Sequence, residues 1–171
     1  MNANDRRHHI YTQLLAADGP LSATALAKEY NVSRQIIVGD IALLRAAGYN
    51  ITATPRGYVI VAAGGVTAQL AVCHSADETK AELYAMVDCG CTVQDVIVEH
   101  PVYGQLTAAL QLSSRYDVDQ FVHSMASRDA RPLSALTEGI HLHTLSCPNE
   151  EALAHLKEKL RAMSLLLEEQ N

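Results

Sequence analysis

Four residues hold the densest chemistry in this 171-residue chain: His74, Glu82, His141 and His143. His141 and His143 are one residue apart in a β-rich run, so on a strand both imidazoles share a face. Imidazole is the commonest protein ligand for a metal, and a carboxylate is a frequent companion. His74 ends an apolar run, and Glu82 stands eight residues on, about two turns into a following helix. If the two strands are sheet neighbours, all four groups meet at its end. Three imidazoles and a carboxylate suit nickel, zinc or iron, and geometry rather than affinity chooses among these divalent metals. An open coordination position lets a small ligand reach the metal. On spacing alone, histidines serving as exposed polar residues or hydrogen-bonded strand ends stand as the alternative.

The elements that must position these groups are legible from period and punctuation. Val66 to His74, Thr92 to Glu99, Gly104 to Leu112 and Gly139 to Ser146 have strand character. Helices are expected from about Asp77 to Asp88, from Asp117 to Ser127, and from Pro148-Asn149 to about Glu168. Alternating strands and helices over residues 66–171 make an α+β domain. Residues 1–63 form a different unit. A helix from about 4 to 17, with Ile10, Leu14, Leu15 and Ala17 as its apolar positions, ends at Asp18-Gly19-Pro20. Ser22 caps a second helix whose apolar face is Ala25, Leu26 and Tyr30. Ser33 caps a third, with Ile37, Ile41 and Leu44 inward and Gly48 as its stop. Asn50–Thr54 and Tyr58–Val61 then form a hairpin around Pro55-Arg56-Gly57, and Ala62-Ala63-Gly64-Gly65 is the linker. That order is a winged helix-turn-helix.

In a helix-turn-helix the second helix of the pair enters the DNA major groove by its N-terminal residues. Here those are Ser33, Arg34 and Gln35. Arginine matches guanine O6/N7 and glutamine matches adenine N6/N7, while Ser33 meets a phosphate. Arg45 near the helix end and Arg56 at the wing tip complete the expected contacts with double-stranded operator DNA. Residues 1–62 carry +2 while the chain carries −6, which leaves −8 on the remainder. A weakly basic head on an acidic body meets a polyanion through the head, and +2 is little enough that a homodimer on two half-sites is expected.

Other classes recede. No apolar run approaches the ~18 residues of a membrane span, and no charged-then-apolar leader follows Met1, so a cytoplasmic location is expected. The four cysteines make no CxxC pair; Cys89-Gly-Cys91 offers two thiols, but buried or idle thiols are the simpler reading. No glycine-rich phosphate loop and no nucleophile placed beside a base is present, so an enzyme is not expected. His100, before Pro101 and Gly104, stands at a corner that suits a pocket residue or a turn, and His123 and His155 are helix-surface residues with no assigned role.

Two resemblances sharpen this. Residues 6–61 resemble the winged-helix domains of bacterial repressors related to the biotin-operon repressor family. The resemblance rests on Leu21-Ser22-Ala23-Thr24-Ala25-Leu26-Ala27, Val32-Ser33-Arg34-Gln35, Asp40-Ile41, Leu44-Arg45 and Gly48-Tyr49. Residues 67–170 resemble the three-histidine (3H) domain of niacin-responsive transcriptional repressors, on His74 with Glu82, His100-Pro101-Val102-Tyr103-Gly104 and His141-Leu142-His143-Thr144. The second resemblance implies a repressor of NAD-precursor uptake or synthesis genes with nicotinic acid as co-repressor. The family's metal ligands fall on His74, Glu82, His141 and His143. It also makes nicotinate's pyridine nitrogen a further metal ligand, with His100, Tyr103 and Arg115 as candidates for its carboxylate. The body is then expected to supply pocket and dimer interface, the latter through the apolar face of the 149–168 helix. Two other functions stay open: a regulator that senses the metal itself, and a metal-dependent hydrolase with a DNA-binding head.

Overall fold

Side-chain caps start every helix of the N-terminal unit. Asn2 accepts from the Asp5 amide to open α1 (Ala3–Ala16), Ser22 from Ala25 to open α2 (Ala23–Glu29), and Ser33 from Ile36 to open α3 (Arg34–Ala46). The computed structural model describes residues 2–60 and 65–168, and the chain divides into two units, Met1–Ala63 and Gly64–Asn171. Val61 and the linker residues Ala62, Ala63 and Gly64 lie outside the described residues.

In the first unit Ile10 and Leu14 of α1, Leu26 of α2 and Ile37, Ile41 and Leu44 of α3 form one core with Ile51. Leu15, expected inward, is 58% exposed, because it lies a full 100° around the helix from Leu14. In α2 the buried residues are Ala23, Leu26 and Ala27, whereas Ala25 faces out. The hairpin is β1 (Thr52–Thr54) antiparallel to β2 (Gly57–Val59). Leu21 pairs with Tyr58 through two main-chain hydrogen bonds of 3.0 and 2.9 Å, which tie the wing to the start of α2. Gly57 is required there: its φ is +140°, and a Cβ would stand 2.4 Å from the Leu21 carbonyl oxygen.

Asp40 of α3 is buried and receives the Arg6 guanidinium at 2.6 Å, with Arg7 at 3.4 Å. Two of the cations that make the head basic are therefore engaged inside the fold. Removing the carboxylate leaves Arg6 without its partner in a mostly enclosed place. Asp40→Ala should lower the stability of the N-terminal unit by about 2 kcal/mol, read in calorimetry as a lower melting temperature for that unit.

The second unit runs β3 (Val66–Cys73), a 3-10 turn (Ala76–Glu78), α4 (Thr79–Asp88), β4 (Thr92–His100), β5 (Gly104–Leu112), α5 (Arg115–Ser127), a second 3-10 turn (Leu133–Thr137), β6 (Ile140–Cys147) and α6 (Glu150–Ala162). The sheet order is β3-β6-β4-β5 with every neighbouring pair antiparallel, so β6 inserts between strands that precede it. Leu70, Val72, Val93, Leu112 and Leu145 of the sheet share one core with Leu83 and Met86 of α4, Val118 of α5, and Leu156 and Leu160 of α6.

α6 corrects two expectations. It ends at Ala162 rather than near Glu168: Leu165 N–H bonds back to Leu160 C=O with Ser164 left-handed at φ +59°, a Schellman-type stop. The following residues run along the free edge of β3, where Cys73 donates to Leu165 and Leu167 donates to Ala71, both at 2.9 Å. Satisfying that edge outweighs the helix propensity of the Leu-Glu run. The apolar face of α6 is not available as a dimer interface either, since Leu153, Leu156 and Leu160 are buried within their own unit. Among the described residues no helix is long and apolar enough to cross a membrane.

Candidate metal centre and DNA-facing helix

β6 alternates strictly, with His141, His143, Leu145 and Cys147 buried. Its register puts His143 opposite Leu70 and His141 opposite Val72, so both imidazoles enter the layer between sheet and helices. His74 follows directly on β3, and Glu82 comes in from the first turn of α4, where the helix N-terminus favours a negative charge. Glu82 is 0% exposed, and none of the three histidines is more than 7% exposed.

The geometry is convergent. His74 Nε2 lies 2.6 Å from Glu82 Oε2, and the Nε2 atoms of His141 and His143 each lie 3.3 Å from Oε1. Ligand atoms of His74, Glu82 and His141 fall within 4.8 Å of one another. Behind each ring a main-chain carbonyl takes the Nδ1 proton: Ser75 for His74 at 2.7 Å, Gly139 for His141 at 2.9 Å, and Asp95 for His143 at 2.6 Å. A carbonyl only accepts, so Nδ1 carries hydrogen in all three rings, and a neutral ring presents its lone pair at Nε2. Three lone pairs then face a carboxylate. Acceptor meets acceptor unless a cation, protons or a metal, sits between them. Glu82 Oε1 and His143 Nε2 are buried without a hydrogen-bond partner, as the cation-requiring arrangement demands. The donor set and its orphaned atoms fit a divalent transition metal.

The 3H domain family matches residues 67–169, and an HTH domain family matches residues 6–59. The chain is 46% identical to a protein of Thermotoga maritima named probable transcription repressor NiaR, over 88% of this chain and 86% of that one. It is 42% identical to the transcription repressor NadR of Bacillus subtilis, over 99% of this chain and 96% of that one. The chain belongs to the niacin-responsive transcriptional repressor family. Its α+β fold, a winged head followed by a 3H domain, is the one its sequence led us to expect.

In this member of the 3H family the expected effector residues fall in two places: the rings of His100 and Tyr103 lie 4.9 Å apart, and Arg115 stands elsewhere beside Asp88. His100 ends β4 and its Nδ1 accepts the amides of Val102 and Tyr103, folding the turn into β5, while Tyr103 itself is 75% exposed. Arg115 forms a two-pronged salt bridge with Asp88, at 2.7 and 2.6 Å, and lies over the Tyr84 ring. None of the three lines the cavity of about 470 Å³ beside the cluster, whose wall includes Cys73, His74, Ser75, Ser134, Glu138 and Gly139. Sequence reasoning missed Ser75, Asp95 and Gly139 because they act through carbonyls, which every residue carries.

In the helix-turn-helix, Ser33 caps α3, and Arg34 and Gln35 in its first turn, with Arg45 in its last, are exposed. Arg56 is half-buried in the turn between β1 and β2, where its amide donates to Thr54 Oγ1. Ile36 and Leu43, also on α3, are exposed apolar residues that the sequence reading had not placed.

The cluster's ionisation follows from its packing. Burial is the largest single influence on His74, His143 and Glu82, and it opposes the charged form of each. The facing charges and hydrogen bonds outweigh it, holding His74 and His143 above the ordinary histidine value and Glu82 well below the ordinary carboxylate value. A lowered carboxylate stabilises the fold above its unfolded value and loses that on acidification; raised histidines stabilise it below theirs and lose that as pH rises. Metal-free protein should therefore melt at lower temperature on going from about pH 6 to about pH 9. Saturating Ni²⁺ should abolish that fall, since metal replaces the protons. In Glu82→Gln the fall should disappear without metal. Scanning calorimetry at stepped pH reads all three.

Proposed function

We propose that this chain is a DNA-binding transcription repressor of genes for NAD-precursor uptake or synthesis. Nicotinic acid is its co-repressor, and a divalent transition metal is held by His74, Glu82, His141 and His143. The observation that carries the reading is one chain with both a winged helix-turn-helix and a buried cluster of three Nε2 atoms around one carboxylate. The relatives named transcription repressors over nearly the whole chain support the regulatory role. The metal, when bound, supplies a Lewis-acidic position that a pyridine nitrogen can occupy.

Arg34 and Gln35 read base edges, Ser33 and Arg45 contact phosphates, and Arg56 meets the backbone from the wing. His100 and Tyr103 are kept as effector contacts, because strand register puts the β4–β5 turn at the same end of the sheet as His74 and Gly139. Arg115 is set aside: it follows Leu112 at the opposite end of the sheet and is paired with Asp88. The protein acts as a homodimer through a surface other than the α6 apolar face, and two heads supply the phosphate contacts that a +2 domain lacks. Nicotinate tightens DNA binding only by favouring the DNA-competent state. A second reading makes the metal itself the signal. Four protein donors around one point support it, since they can complete a tetrahedral shell without a small ligand.

Fluorescence anisotropy on duplexes selected by this protein from a random-sequence library tests the proposal. With metal fixed, nicotinate should tighten binding, and Arg34→Ala should weaken it by about 1–3 kcal/mol. His141→Ala with His143→Ala should remove the nicotinate effect. Equal affinity with and without nicotinate, combined with a steep response to free metal, selects the metal-sensing reading instead.

A further inference from the structure

Two residues outside the ligand set hold two of the imidazoles and the main chain of the remaining histidine. Gly139 bears on two of these residues: its carbonyl accepts His141 Nδ1–H at 2.9 Å and the main-chain amide of His74 at 3.4 Å. It follows Glu138, left-handed at φ +53°, and is itself at φ +95°. A Cβ at Gly139 would lie 2.3 Å from the His74 carbonyl oxygen and 3.3 Å from the His74 nitrogen. Any side chain there pushes the His74 main chain off its place, and other L residues resist the required backbone angle.

Asp95 does the same for the third ring. Its carbonyl accepts His143 Nδ1–H at 2.6 Å, and its carboxylate Oδ1 accepts the amide of Thr144, the next residue along, at 2.9 Å. The β4–β6 register shifts between Val93 and Ile97, so the ladder is interrupted at Asp95. That break frees its carbonyl for the imidazole, and the carboxylate replaces the ladder partner that Thr144 loses.

We propose that Gly139 and Asp95 are positioning residues of the metal centre, Gly139 for His74 and His141, Asp95 for His143. The assignment rests on the metal reading given above. Together they fix the His141 and His143 rings in the Nδ1–H form and set the main chain of His74, whose ring the Ser75 carbonyl holds in the same form, so that the site offers Nε2 alone before any metal arrives.

The test uses the full chain, Ni²⁺ affinity from competition with a chromophoric chelator, and the visible spectrum of the Co²⁺-loaded protein. Gly139→Ala should bind Ni²⁺ about 100-fold more weakly and Asp95→Ala about tenfold, both with altered Co²⁺ bands. Asp95→Asn, which keeps the acceptor for Thr144, should restore near-normal affinity. Leu153→Ala, which thins the core away from the site, should melt earlier yet keep the affinity and the spectrum. Unchanged affinity in Gly139→Ala and Asp95→Ala, beside a wild type that binds, overturns this assignment alone, as does an equal loss in Leu153→Ala. If Gly139→Ala does not fold, the contrast between Asp95→Ala and Asp95→Asn decides. A wild type that binds neither ion overturns the metal reading, and this assignment with it.

Discussion

One carboxylate organises the C-terminal unit. Glu82 is completely buried in a layer otherwise filled by leucine, valine and methionine, and an unpaired charge in such a place costs several kcal/mol. Its compensation comes from three rings on two strands that are far apart in sequence yet adjacent in the sheet. The contact therefore pins α4 to β3 and β6 at once. The insertion of β6 between β3 and β4 is what makes this possible: in a sheet ordered by sequence, His74 and the His141–His143 pair would not be neighbours. Fold topology and site chemistry are here the same constraint.

Much of this was legible in the sequence, for reasons that can be named. The period-2 alternation around His141 and His143 survives because one face of β6 is buried, so spacing alone put both rings on one side. Ser22 and Ser33 were legible as caps because capping is local: each side chain bonds an amide three residues on. What escaped was non-local. The Arg6–Asp40 pair spans 34 positions and appears in the sequence only as two charges of opposite sign. The end of α6 was placed too late because the residues after Ala162 answer to the hydrogen-bonding demand of β3 rather than to their own propensity. The string around His100 and Tyr103, and Arg115 further on, carry no information on which charges are already paired.

The Arg6–Asp40 contact also alters how the head's charge should be weighed. Counting cations credited Arg6 and Arg7 to DNA binding, but their guanidinium groups face a buried acid. The outward positive charge of α3 comes from Arg34 and Arg45, at opposite ends of the helix, with Gln35 beside the first. That distribution suits groove reading at the N-terminal end and backbone contact at the other. It supplies few phosphate contacts per head, which strengthens the physical case for two heads acting together.

A site this deeply buried needs a way to be felt elsewhere, and the carbonyls behind the rings supply one. Ser75 leads into α4, Asp95 sits at the break in β4, and Gly139 is the hinge into β6. The cation between Glu82 and the imidazoles thus bears, through rigid rings, on three separate stretches of main chain. Protons satisfy the cluster with flexible stoichiometry, whereas a metal with fixed coordination distances holds all three stretches in one arrangement.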